Sequence, residues 1–293
     1  MLNSSKKTIS IIGAGKLGKA LAQDIIKYKI GCLTALCNSS AESSQHIINE
    51  LNAPILYAPL ETLPSSHFVF ITTPDSLIEY CANQLSKNLN LLPGTIVVHC
   101  SGVLNTDVLS ALKSKGCLLA SLHPVRSFSL AKGTTFANAY CALEGDEQAL
   151  TALKDLLRPL TLKWLSIDRE KKATYHSGAV FAANYLISVL HQAQQAYQVA
   201  GLSNDVAFKV SCDLAQSVLD NIKKTNSLAK SLTGPLARGD IETIKQHLNP
   251  MPKPTQQLYQ HLALNLLDLC ELSDEKKTQL KTVLSDETTY VPH

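Results

Sequence analysis

Three glycines and two histidines are the residues of this chain whose types and spacing could do chemistry. Gly13, Gly15 and Gly18 stand as G-x-G-x-x-G within residues 8–21, TISIIGAGKLGKAL, where an apolar run breaks and then resumes with helical spacing. Each has its own reason: Gly13 for a tight turn, Gly15 so that a pyrophosphate can approach the backbone, and Gly18 so that helix and strand pack closely. Ala14, Lys16 and Leu17 complete the loop, where the free N–H groups of the helix start and the helix dipole form an anion site. Following a strand and opening a helix, the pattern reads as a dinucleotide site; a purely structural glycine turn is the alternative. His123 and His176 are suited to moving a proton near neutral pH, as hydride transfer to a carbonyl or imine requires.

The elements that must position these residues follow from periodicity. Ile9, Ile11 and Ile12 predict a buried parallel strand, and residues 33–37, LTALC, predict a second that ends in Asn38, Ser39 and Ser40. An acidic residue commonly closes that strand and binds the ribose hydroxyls of NAD; asparagine and hydroxyls tolerate a 2′-phosphate instead, which favours NADP over NAD. Ser39 can equally be a helix N-cap with Glu42 as its partner. Residues 68–72, FVFIT, end in Thr72, Thr73 and Pro74; residues 95–100 deliver Ser101 and Gly102; residues 117–122 deliver His123 on a strand-end loop. Ligands of open α/β sheets lie outside the carboxyl ends of the strands, so these ends converge on one crevice. Strand ends are also polar simply because they reach water.

Residues 8–168 alternate strands with helical patterns, the signature of a parallel sheet covered on both faces. From 169 the pattern is helical only. One run covers 169–200 and would be about 45 Å long if unbroken. A second covers 204–224, with Val206, Val210, Leu214, Val218 and Ile222 in steps of four. A TGPLARGD turn at 233–240 and a pair of helices at about 255–270 and 274–284 follow, with ETTYVPH expected to fray. The expected architecture is α/β: a doubly wound dinucleotide-binding sheet over 1–168, then an all-α domain over 169–293. His176 and Asn184 lie two turns apart on nearly one helix face, with small Ala179, Ala182 and Ala183 nearby. A core histidine and an asparagine at a helix seam are the plain alternative. The apolar faces exceed what such a helical domain hides alone, so a homodimer built through it is expected.

With 293 residues, 45% of them hydrophobic, the chain can bury sizeable cores. A net charge of +3 and the lack of a basic stripe with interleaved aromatics argue against nucleic acid, and no apolar run approaches membrane-spanning length. The eight cysteines form no C-x-x-C pair and several sit in apolar runs, as buried thiols in a reducing cytoplasm would. The chain reaches its first strand without a leader-like segment, which also points to the cytoplasm. No H-x-x-H, H-E-x-x-H or cysteine cluster suggests a metal, and no G-x-S-x-G elbow suggests a hydrolase.

Together, the glycine fingerprint, His99-Cys-Ser-Gly102, His123-Pro-Val-Arg-Ser-Phe128, Tyr175-His176 with Asn184-Tyr-Leu186, and Thr233-Gly-Pro-Leu-Ala-Arg-Gly-Asp240 resemble the Rossmann-like plus DUF2520 family over nearly the whole chain. That family is similar to the wider group of 6-phosphogluconate, β-hydroxyacid and prephenate dehydrogenases and pyrroline-5-carboxylate reductase. The resemblance implies an NADP-dependent oxidoreductase acting on a small molecule in an interdomain cleft, and names no substrate. It implies that Ser101 and Asn184 touch substrate, and that His123, in a His-Pro pair similar to that of prephenate dehydrogenases, acts on the substrate hydroxyl, with His176 second. In β-hydroxyacid dehydrogenases a lysine stands one turn before the asparagine, where this chain has Val180. Two expectations stay open: catalysis in which a histidine supplies the proton, or a dinucleotide-binding sensor without chemistry. Arg126 and Arg238 are candidates for holding a carboxylate or phosphate, although Arg238 can equally bridge to Asp240 or Glu242.

Overall fold

The computed structural model describes residues 6–128 and 134–285, so the C-terminal ETTYVPH lies outside the described residues. The strands are β1 (Thr8–Ile12), β2 (Cys32–Cys37), β3 (Leu56–Tyr57), β4 (Phe68–Ile71), β5 (Ile96–His99), β6 (Leu118–Pro124), β7 (Tyr140–Gly145) and β8 (Lys163–Ser166). Among the described residues they form one sheet in the order β3-β2-β1-β4-β5-β6-β7-β8. Alternation along each strand feeds two cores. Phe68 and Phe70 of β4 face a cluster with Leu21 and Ile25 of α1 (Lys16–Lys27), Ile48 of α2 (Ala41–Leu51) and Leu153 of α4 (Glu147–Leu156). Val69 and Ile71 face the other, with Ile78 and Leu85 of α3 (Asp75–Leu85) and Leu109 of a 3-10 run, Thr106–Lys115. Both faces are thus covered, as a doubly wound α/β sheet requires.

The sheet departs from the expected wholly parallel one at a single pairing. β7 runs antiparallel to β6, with Ser121 opposite Glu144, and β8 then pairs parallel to β7 after α4. An antiparallel neighbour needs no crossover helix, so the short run YCALEG at 140–145 could join the edge directly. β6 also reaches further than expected. His123 and Pro124 lie inside the strand, held by pairing with Ala142 and Cys141, and not on a loop after it.

Two compact units divide the chain at Asn184 and Tyr185, later than the expected boundary at 168. The first unit keeps α5 (Lys172–Val180) because that helix buries Lys172 and bonds through Tyr175 to His123 of β6. The single helix expected over 169–200 is a 3-10 turn, α5, a π turn at Phe181–Tyr185, and α6 (Leu186–Val199). The second unit holds α6, α7 (Asn204–Thr225), α8 (Leu228–Ser231), α9 (Pro235–Arg238), α10 (Ile241–Leu248), α11 (Lys253–Leu266) and α12 (Asp274–Ser285). Leu236, Ile244, Leu248, Leu267 and Leu280 make its core, and Asp240 caps α10 by accepting from the Thr243 N–H at 3.1 Å. Gly201, at φ +94°, turns the chain between α6 and α7, where Asn204 Oδ1 accepts from the side-chain amides of Gln194 and Gln198. α6 buries no residue and α7 buries only Ala207 and Ser211, which leaves Phe208, Leu214 and Val218 exposed.

Candidate functional site

The glycine loop builds a cradle at the end of β1. Gly13 has φ +89°, and Gly18 sits so close beneath it that a Cβ there would overlap the Gly13 carbonyl and come within 2.5 Å of Thr72 Oγ1. Gly15 is different: a Cβ would meet nothing within 4 Å, because it would point into an open cavity of about 570 Å³. α1 begins beside the cavity with no acidic residue in its first turn, so no carboxylate there offsets the positive dipole end of the helix. Thr72 donates to the Gly13 carbonyl at 2.5 Å and holds the loop against β4, while Thr73 and Pro74 line the cavity wall. These features fit a dinucleotide.

The remaining residues expected around the cofactor divide by task. Asn38 lines the cavity, and its Oδ1 accepts from the Ala14 N–H at 2.6 Å, so it also pins the glycine loop. Ser39 and Ser43 line the cavity beyond it, with no carboxylate among its lining residues. Ser40, not Ser39, is the N-cap of α2 and accepts from the Ser43 N–H at 3.1 Å; it lies outside the cavity lining. Such a cap is worth about 1 kcal/mol. Leu17 packs against the core, and Lys16 is exposed at the first position of α1; neither lines the cavity.

At the ends of β5 and β6 the chain assembles the two histidines. The edge-to-face rings of His123 and His176 have centroids 5.4 Å apart, and His123 Nδ1 lies 2.9 Å from Tyr175 Oη. Gly102 lies under both: a Cβ there would stand 2.8 Å from His123 Nε2 and overlap His176 Nδ1. Burial, then the neighbouring His176 and Lys172, push His123 down to about 4, so its ring is neutral at pH 7. Burial pushes the Tyr175 phenol up to about 12. Ser101 Oγ donates to Asp75 Oδ2 at 2.9 Å and accepts from the N–H groups of Val103 and Leu104 at 3.1 and 2.9 Å. Its one donor and two acceptor positions are therefore taken, and it holds the turn instead of offering a free hydroxyl to a substrate.

Asn184 joins the histidines through the π turn. Eight residues of ideal helix drift about 80° in phase, which would swing Asn184 away from His176. The wider i→i+5 turn at Phe181–Tyr185 takes up that drift, and His123, His176 and Asn184 line one cavity of about 280 Å³ together with Arg126, Ala179 and Ala183. Arg126 Nη1 donates to the Thr135 carbonyl at 2.7 Å, and Asp24 anchors that segment by accepting from the Thr135 hydroxyl and the Phe136 N–H. Arg238 belongs to the second unit, exposed at the end of α9.

Residues 1–124 match the model of a Rossmann-like domain, and residues 139–266 match that of a domain of unknown function, DUF2520. The chain is a Rossmann-like and DUF2520 domain protein. The DUF2520 match begins at β7 and so takes in Glu144 and all of α5. Among solved structures, this DUF2520 protein is similar to a provisionally named NADP oxidoreductase of Bacteroides fragilis, with 20% identity, 90% of this chain and 99% of that chain covered, and a TM-score of 0.74. It is similar to a Thermotoga maritima protein, with 26% identity, 94% and 98% covered, and a TM-score of 0.63. It is also similar to the Plasmodium falciparum pyrroline carboxylate reductase solved with NADP bound, with 12% identity, 96% and 99% covered, and a TM-score of 0.58. These likenesses give it the fold of dinucleotide-dependent oxidoreductases; activity lies in the site, not in the fold. No curated protein sequence matches it.

Sequence reasoning missed one group of this DUF2520 protein entirely. Lys172 is fully buried, donates to Ser121 Oγ at 2.5 Å and lies 3.7 Å from Glu144 Oε2. Burial draws the ammonium below its ordinary range while the Glu144 carboxylate opposes that change. The usable signal was helical spacing: Lys172, Tyr175, His176 and Ala179 stand at i, i+3, i+4 and i+7.

Proposed function

We propose that the protein is an oxidoreductase that moves a hydride between a nicotinamide dinucleotide and a small substrate seated over His123, His176 and Asn184. The observation that carries this reading is the Ser101–Asp75 hydrogen bond of 2.9 Å, which ties the residue after Pro74 of the glycine-rich cavity to the turn under both imidazoles. The dinucleotide, when bound, supplies or takes the hydride. NADP is proposed ahead of NAD because Ser39 and Ser43, and no carboxylate, line the cavity beyond Asn38.

His123 Nε2 takes a proton from a substrate hydroxyl or amine as hydride leaves, and the same group returns it in the reductive direction. Nδ1–H then donates to Tyr175 Oη, which fixes the ring. Asn184 hydrogen-bonds the reacting oxygen or nitrogen, and Arg126, at the same cavity, takes an anionic group of the substrate. The assembly we propose is a pair of chains joined through the exposed apolar faces of α6 and α7. The free cysteines suit a reducing cytoplasm. No helix among the described residues is long and apolar enough to cross a membrane.

The test is NADPH consumption over a panel of small oxo acids, aldehydes and cyclic imines. The expected result is turnover of at least one, lost in both His123→Ala and Gly15→Val. Tight NADPH binding with no turnover anywhere would favour the sensor, a reading that Val180 supports by leaving no ammonium one turn before Asn184. Failure to bind NADPH and NADH would remove both readings.

A further inference from the structure

One turn before His176 on α5, Lys172 is 2% exposed although it opens a helix, where lysines ordinarily reach water. Its ammonium is held by Ser121 Oγ at 2.5 Å and by Glu144 Oε2 at 3.7 Å, and the other Glu144 oxygen accepts from the Thr106 N–H and hydroxyl at 2.8 and 2.6 Å. Buried ion pairs rarely recover their desolvation, so well-packed apolar residues would hold this fold at least as firmly. The placement supplies another reason for the charge. Lys172, Tyr175 and His176 share one face of α5, and Ser121 and His123, two apart on β6, share one side of the sheet. Two rungs therefore join helix to strand: Lys172 on Ser121, and Tyr175 on His123.

We propose that Lys172 is a positioning residue for His123: clamped between Ser121 and Glu144, its ammonium seats α5 on β6 and brings a positive charge to the helix face and strand side that carry the imidazole pair. The titratable and charged groups of the elements packed here are Tyr175, His176 and Lys172 on α5, Cys141 and Glu144 on β7, His99 and Cys100 at the end of β5, Asp75 at the start of α3, and Arg126 beyond the end of β6; Tyr175 bonds His123, and His176 and Lys172 act on it by charge. Arg126 is exposed and screened by water, whereas Lys172 acts through the protein interior. The charge adds to burial and to the neighbouring His176 in keeping His123 in the neutral form that can accept a proton. This deepens the oxidoreductase reading, yet its first readout needs neither cofactor nor substrate.

The experiment is an NMR titration of the His123 ring, with thermal unfolding alongside, in the full-length protein, Lys172→Met, and Lys172→Met with Glu144→Gln. Lys172→Met leaves Glu144 buried without its counter-ion and is expected to lower Tm; the double variant, with both charges gone, is expected to regain it. In both variants the His123 midpoint should rise, while burial and His176 still hold it below that of an ordinary imidazole. A double variant that regains Tm and titrates like the wild type would make Lys172 a structural residue only and overturn the proposal. Should the methionine double variant not fold, Lys172→Gln with Glu144→Gln, which keeps a donor for Ser121 without charge, decides on the same criterion. Once a substrate is known, the pH profile of kcat should move with the midpoint while the Kd for NADPH stays within about twofold. If no substrate exists, the titration result still stands, so the two readings fail separately.

Discussion

His123 Nδ1 and Tyr175 Oη lie 2.9 Å apart, with the rings edge to face and their centroids separated by 5.6 Å, and this bond fastens the end of β6 to α5. The phenol, pushed up to about 12, remains a hydroxyl at every working pH, and the imidazole, pushed down to about 4, remains neutral. The pair therefore presents one oriented ring nitrogen, Nε2, above Gly102.

His123→Ala should lower kcat by about 10²–10⁴-fold and leave the Kd for NADPH nearly unchanged. The active form in the oxidative direction is the neutral ring, so the rate should stay level through neutral pH and fall as pH drops through about 4. The same depression makes the unfolded chain bind a proton that the folded chain refuses between about 4 and 6.5, so stability should decline as pH falls through that window. Steady-state pH profiles and urea unfolding at neutral and acid pH measure both. A rate in the oxidative direction that rises on acidification would contradict the assignment.

The glycines of the cradle should separate binding from folding. Gly15→Val adds atoms where the folded chain has open space, so Tm should hold while NADPH binding weakens on the order of 100-fold, about 2.7 kcal/mol. Gly18→Ala forces a Cβ against the Gly13 carbonyl and Thr72 Oγ1, and should cost about 1–3 kcal/mol of stability. Fluorescence titration should also give tighter binding of NADPH than of NADH. Equal affinities would remove the argument from Ser39 and Ser43.

Gly102→Ala tests the turn under the imidazoles. The added methyl would stand 2.8 Å from His123 Nε2 and overlap His176 Nδ1, and its backbone lies outside the left-handed region. The rings must move, so kcat should fall by about 10²-fold, the scale of a misplaced reacting group, with cofactor affinity and secondary structure retained. Full activity in this variant would place the reacting groups elsewhere.

The exposed faces of α6 and α7 predict association of two chains. Light scattering should give twice the chain mass at micromolar concentration, and Phe208→Lys with Leu214→Asp, at two exposed apolar positions of α7, should give the mass of one chain. A wild-type protein that scatters as a single chain would end this proposal.

Much of the chain was legible from its sequence. The fold class, the turn at Gly13, the open space at Gly15 and the close packing at Gly18 follow from local patterns, because a strand, a tight turn and a helix start are set by neighbours within a few residues. The helical run after Asp168 was readable for the same reason. What only the tertiary structure decided rests on contacts between distant residues. The antiparallel β7 puts Glu144 opposite Ser121, which gives Lys172 a buried counter-ion that no local pattern announces. Ser101 looked like a free substrate-touching hydroxyl until Asp75 and two backbone amides took its hydrogen bonds. Asn184 reaches the His176 cavity because one turn of its helix is π rather than α, a change of phase that the helical spacing of the sequence does not announce.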